Sequence, residues 1–388
     1  MVHVYGLSST AQSHVLTASK IAAETASQNA ADVDLKGRFP DESMKALADA
    51  NLYGLCLPSE VGGQGEGMRA FAGVVEELAM ACASTAMIYV MHTSAAQALI
   101  ASSTFADRES VLKEIANGKH LTTLAFSEAG SRSQFWAPVS KLEESNGHYL
   151  TSASKSWVTA AGHADSYVSS AQKPNAASPL ESTVYFVPQK SKGVQVTSSF
   201  NGLGLRGNDS APVKLNELEV QPGSLISAQG EGPKIILEVI LPWFAIGSAA
   251  MANGLCRASV AGTTKHLTET GFAHDGTKLR DLPNLRARLA EMSVRTEQSR
   301  SLLGHTIDQI ESPSAITPLF VLQSRLAALQ AAVDVTDLAM KTCGGAAFSR
   351  HLPIERFFRD ARAGWVMAPT VDHLQDFVGK ALTGLPLF

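Results

Sequence analysis

The 388-residue chain is poor in the features that mark several protein classes. Its four cysteines (Cys56, Cys82, Cys256, Cys343) stand far apart without a C-x-x-C pair. That excludes a disulfide scaffold and a cysteine zinc site, and fits a reducing, cytoplasmic setting. No other metal site is expected. Charged residues make up only 18%, far from the composition of disordered chains. Net charge is −4 and no Lys/Arg run exceeds two residues, so a nucleic-acid partner is not expected. The opening MVHVYGLSSTAQ lacks the basic start and apolar run of a secretion signal. Long apolar runs are also wanting. The stretches between Glu77 and Asp107 and between Glu238 and Arg257 carry no formal charge, yet Ser, Thr, Asn, Gln or His interrupt both. A bilayer span wants about 20 predominantly apolar residues, so these read as buried core helices and no membrane is expected.

What is present is a large core and a clear change of texture along the chain. Apolar residues make up 45%, and the length predicts about two or three structural units. Residues 1–119 read as helical. Asp41 to Ala50 follows Pro40 with an acidic first turn, and Ser59 to Gly67 is a glycine-rich loop. Phe71, Val74, Val75 and Leu78 then line one helix face between Met68 and Ala81. Residues 120–228 carry seven short β-branched or aromatic runs, among them Leu124-Ala-Phe, Tyr149–Ser152, Ser156–Thr159 and Thr183–Val187. Turn signals such as Asn146-Gly147 separate them, which predicts a compact antiparallel sandwich or barrel. Residues 229–388 return to a helical period: Leu322, Leu326, Leu329, Val333 and Met340 share a face, and Gly344-Gly345 stops it. The expected fold is α+β and multidomain: a helical domain, a β-domain and a helical bundle.

Four sequence words sharpen this reading. They are Thr123-Leu-Ala-Phe-Ser-Glu-Ala-Gly130, Ser154-Lys-Ser-Trp-Val-Thr159, Gly202-Leu-Gly-Leu-Arg-Gly-Asn-Asp209, and Cys343-Gly-Gly followed by Pro353-Ile-Glu-Arg-Phe-Phe-Arg-Asp-Ala-Arg362. With these words in this order, the chain resembles the acyl-CoA dehydrogenase family of flavoproteins over nearly its whole length. The resemblance implies a C-terminal four-helix bundle, FAD held between domains and subunits, and a homotetramer or homodimer. It places Trp157, Thr159, Phe126 and Ser127 beside the flavin, with Thr370 also at the cofactor. Ser133 matches a serine reaching cofactor phosphates or substrate, although Arg132 and Gln134 replace the family's usual Gly and Asp. Gly344 and Gly345 match the glycines where backbone approaches the pyrophosphate of a neighbouring subunit. Lys341 stands where most members have glutamine. The family's pyrophosphate arginine is missing, which leaves Lys278 or Arg280 as substitutes or as surface charge.

The family reaction needs a carboxylate that takes the α-proton of an acyl thioester. In most members it sits in a Tyr-Glu-Gly-Thr word; here that word reads Met367-Ala-Pro-Thr370, with Ala368 at the glutamate. The minority position, on an earlier helix, matches Ile240. Four residues are candidates for a relocated base: Glu238, two residues from Ile240; Asp372 and His373, one turn beyond Ala368; and His92, alone on an apolar helix. Their ordinary alternatives are a solvated glutamate and a satisfied core histidine. The implied function is oxidation of an acyl-CoA or carrier-bound acyl thioester, with an electron-transfer or reductase partner. A flavin monooxygenase, oxidase or lyase on the same fold is the alternative. Arg69 is a candidate for an anionic substrate tail. Glu355, Arg356, Arg359, Asp360 and Arg362 read as a structural ion-pair network.

Overall fold

A computed structural model describes residues 3–387. The first third is helical: Ser9–Ile21 runs through a π-helical turn (Ala22–Ala26) into Ser27–Lys36, followed by Asp41–Asp49, Met68–Ala81, Ala83–Ala101 and Arg108–Ala116. The Ala83–Ala101 helix is buried on nearly every face, which is why its sequence carries no formal charge and no amphipathic stripe.

Seven strands follow: β1 (Thr122–Ala125), β2 (Glu143–Ser145), β3 (His148–Val158), β4 (Ser166–Gln172), β5 (Ser182–Pro188), β6 (Val194–Val196) and β7 (Ala211–Val220). They form two sheets, ordered β1-β4-β5 and β2-β3-β7-β6. The all-antiparallel expectation needs a correction, because β1 and β4 pair in parallel, Thr122 opposite Ser166. Between them the chain crosses into the second sheet as β2 and β3, and such a long crossover is what parallel neighbours require. The runs Tyr149–Ser152 and Ser156–Thr159 belong to one strand rather than two. Register shifts against β7 between Thr151 and Ala153 and between Lys155 and Val158 break its alternation. The polar, largely exposed β2 carries no hydrophobic signal. β4 and β5 are buried on both faces, so β5 reads as a continuous apolar run.

The C-terminal helices Leu241–Glu269, Pro283–Glu311, Thr317–Cys343 and Val371–Thr383 pack as a bundle. Among the described residues one helical stretch, Gly232–Glu269, is long and apolar enough to cross a membrane by length and composition, but 61% of its most apolar window is buried within the fold. Gly254 lets this helix touch the Met68–Ala81 helix; a Cβ there would meet the Glu76 carbonyl oxygen at 2.5 Å.

Ion pairs fasten the domains together. Arg359 crosses to Asp34 (2.6 Å) and to the Leu203 carbonyl, while within the C-terminal domain it binds Glu355 (2.8 Å) and Arg362 binds Asp337 (3.1 Å). Arg69 is held by Asp308, Glu311 and the Tyr5 carbonyl, so it ties the first domain to the bundle rather than reaching for a substrate. Asp360 is buried and accepts the Leu205 N–H at 2.7 Å. Burial pushes its carboxyl up to about 6 against that bond and against Arg356. The folded state therefore binds an extra proton between about pH 4 and 6, and this group's contribution is lost as pH rises through its folded pKa. Asp360→Asn should accordingly gain on the parent by up to about 3 kcal/mol between pH 4 and 7, read from urea midpoints. Parallel profiles would show that Asp360 titrates normally.

Candidate active site

The site grows from the end of β3. Lys155 is fully buried and its ammonium binds Glu128 (2.7 Å) and the Ser170 carbonyl (2.7 Å). Glu128 also accepts the N–H groups of Val139 and Ser140 (both 2.8 Å) and the Ser140 hydroxyl (2.6 Å). Burial opposes its charge, but Lys155 and Ser140 outweigh burial and hold the carboxyl below the ordinary value. Burial pulls the Lys155 ammonium down while Glu128 resists. One carboxylate thus closes the loop 128–140 and fastens it to β3. Sequence reasoning does not single out either residue, although both lie inside the words quoted above.

Two residues beyond this anchor, Trp157 is 69% exposed at φ +56°. The register shift at the end of β3 turns the indole outward, where its described ring contact is the edge of Phe200 at 6.4 Å. A core aromatic would be covered; this one is presented as a flat apolar wall. Thr159 is buried, its hydroxyl 3.2 Å from that of Ser210. Phe126 is buried and Ser127 half-buried. The Ser127 carbonyl accepts the Ser156 N–H at 2.8 Å, which joins the chain just after β1 to the end of β3. Ser133 is half-buried on the loop beside Arg132, which is exposed at φ +53°.

The same loop reaches the last helix. Trp136 packs edge-on to His373 (5.8 Å between ring centroids) and against Phe377 (5.7 Å). Thr370 caps the Val371–Thr383 helix by accepting the His373 N–H at 3.3 Å. The His373 ring stacks on Phe377, and its Nδ1 is buried without a hydrogen-bond partner among the described residues. Asp372 is exposed in that first turn. The structure therefore brings Phe126, Ser127, Trp157 and Thr159 together around the end of β3, and joins the 128–140 loop to His373 on the helix that Thr370 caps.

Other candidates lie elsewhere. His92 is a core residue: its Nδ1 accepts the Thr122 N–H (3.2 Å) and its Nε2 faces the Tyr53 carbonyl (3.3 Å). Burial pushes it down to about 4. Glu238 is exposed on the π-helical segment Ile235–Ile240, whose buried side is formed by Ile236 and Ile240. Gly344 ends the Thr317–Cys343 helix at φ +55°, and a Cβ on Gly344 or Gly345 would meet nothing within 4 Å. The two glycines leave an open backbone cradle at the end of that helix. Lys341 pairs with Asp337 (2.8 Å), Lys278 donates to the Glu269 carbonyl (3.1 Å), and Arg280 is exposed.

Arg325 escapes sequence reasoning because one arginine beside Leu322 and Leu326 reads as the polar edge of a helix. It is fully buried. Its guanidinium donates to Ser248 Oγ (2.9 Å), the Pro369 carbonyl (2.6 Å) and the Met367 carbonyl (3.1 Å), and lies 4.9 Å from the Phe244 ring centroid. Burial lowers its pKa to about 9, which still leaves it charged at neutral pH.

Comparison with known proteins decides the family. Models of the N-terminal, middle and C-terminal domains of acyl-CoA dehydrogenase match residues 9–119, 123–218 and 230–382. The chain belongs to the acyl-CoA dehydrogenase family. Among similar family members, the short-chain specific acyl-CoA dehydrogenase of mouse mitochondria is 25% identical over 334 residues, 86% of this chain and 80% of that protein. The corresponding Clostridium acetobutylicum enzyme is 26% identical over 336 residues, 86% of this chain and 87% of its own. The solved butyryl-CoA dehydrogenase of Megasphaera elsdenii superposes with a TM-score of 0.92 at 21% identity, covering 97% of this chain and 99% of its own. That last likeness concerns the fold.

Proposed function

We propose that this family member oxidises an acyl thioester, carried on CoA or on a carrier, with a relocated proton acceptor. The observation that carries the reading is Trp157, an indole held outward on a shifted strand end next to the Thr159–Ser210 hydroxyl pair. The cofactor is FAD, and it supplies a two-electron acceptor for hydride from the acyl chain. The exposed indole and the uncovered Gly344–Gly345 backbone fit a flat ring at one place and a pyrophosphate at another. On this reading each copy serves two cofactors, its own at the indole and a neighbouring copy's at the glycines. Electrons then pass to an electron-transfer or reductase partner.

The α-proton needs an acceptor, and the methyl of Ala368 cannot take it. His373 is the candidate the geometry favours: its Nδ1 is buried without a partner among the described residues, whereas His92 is sealed in the core and Glu238 faces outward. Anaerobic mixing of the purified protein with a series of acyl-CoAs tests the reading. Bleaching of the oxidised flavin band supports it, and His373→Gln should slow bleaching by about 100-fold. Alanine at position 368 favours a second reading, a monooxygenase, oxidase or lyase that needs no α-base. No bleaching, together with oxygen uptake driven by a reductase, would select the monooxygenase.

Two substitutions separate the cofactor surface from the fold. Trp157→Ala removes an exposed side chain and should change stability by less than about 1 kcal/mol, while raising the FAD dissociation constant at least about 10-fold. Gly345→Ala adds a methyl that meets no protein atom within 4 Å, so stability should hold while FAD retention falls. Equilibrium dialysis and urea midpoints read both; unchanged FAD affinity in the two variants would remove these surfaces from the site.

A further inference from the structure

Arg325 is expensive to bury. Its partners among the described residues are two peptide carbonyls, a hydroxyl and a ring face, and none is a carboxylate. A charge without a counter-charge loses hydration that neutral acceptors only partly replace. Leu or Met would fill that helix position without this cost. The pattern of its bonds shows what the guanidinium achieves. Met367 and Pro369 flank Ala368, and both of their carbonyls turn toward one planar fork. The fork is itself braced by Ser248 and Phe244 on the neighbouring helix. Immediately beyond, Thr370 caps the helix that carries His373.

We infer that Arg325 is the positioning residue of the Met367–Thr370 segment, fixing its backbone so that the first turn of the last helix meets the acyl group in one geometry. The inference rests on the reading that this segment faces the reacting acyl chain. Arg325 touches neither substrate nor cofactor; it acts through the two carbonyls.

The test uses the FAD-loaded enzyme, with butyryl-CoA as substrate and its non-oxidisable thioether analogue as a spectroscopic probe. Arg325→Lys keeps the charge but loses the planar fork. FAD affinity should stay within about 3-fold of the parent, the analogue should no longer shift the flavin band, and saturating reduction should slow at least about 10-fold. The half-saturating concentration should change little. Ser248→Ala loosens the brace without touching the segment and should slow reduction about 3- to 10-fold, which decides the matter where Arg325→Lys does not fold. A folded Arg325→Lys with the parent's band shift and rate would overturn the inference. So would a parent-like Ser248→Ala, or rate losses that merely follow FAD loss. Failure of the underlying reading looks different: then no acyl thioester bleaches or perturbs the parent.

Discussion

Glu76→Ala should cost about 3–5 kcal/mol of folding free energy, the scale for removing one partner of a buried ion pair. Glu76 is fully buried on the Met68–Ala81 helix. It binds Arg257 at 2.7 Å and Arg300 at 3.0 Å, and accepts the Tyr5 hydroxyl. Tyr5 in turn accepts from Asn253 (3.2 Å), whose own carbonyl accepts the Ser299 hydroxyl (2.6 Å). Burial and the neighbouring Glu76 raise the Tyr5 phenol well above its ordinary value, so it stays a donor. Removing the carboxylate leaves two partly buried arginines with fewer acids to face: Glu77 still binds Arg257 at 2.7 Å, and exposed Glu297 still binds Arg300 at 3.0 Å. Glu76→Gln keeps the shape and some of the bonds, and should lose less. Urea midpoints check both; a loss under about 1 kcal/mol for the alanine variant would mean that water re-enters and screens the arginines.

The second large effect is expected at Lys155. Lys155→Met strands the Glu128 carboxylate in the interior and should cost about 3–5 kcal/mol. It should also release FAD, because the same pair fastens the 128–140 loop and the strand end that presents Trp157. Combining it with Glu128→Gln removes the stranded charge and should recover part of the stability without restoring cofactor binding. Equal stability of single and double variants would show that Glu128 is not stranded by the single change.

Much of the architecture is readable from periodicity. The Met68–Ala81 helix and the stop at Gly344 follow from apolar spacing and a glycine at positive φ. β5 is legible because burial on both faces demands a continuous apolar run. β2 is not, since three polar residues at the surface carry no such demand. The single β3 reads as two strands because its register shifts break the alternation that marks a strand. At the site, the words around Trp157 are visible, but their support is not. Glu128 and Lys155 pair across 27 positions, and Glu76 meets Arg257 across 181. No local pattern reports such a pairing. Arg325 is hidden for a different reason, since a guanidinium satisfied by backbone carbonyls has no partner to look for in the sequence.

The Glu76 cluster also constrains how the molecule is made. The carboxylate emerges from the ribosome long before either arginine that will neutralise it, so the opening helices hold an unmatched anion while the rest is being translated. A fragment that stops short of Arg257 has no means of sealing that region. The helices Leu241–Glu269 and Pro283–Glu311, made well after the first domain, therefore complete its interior.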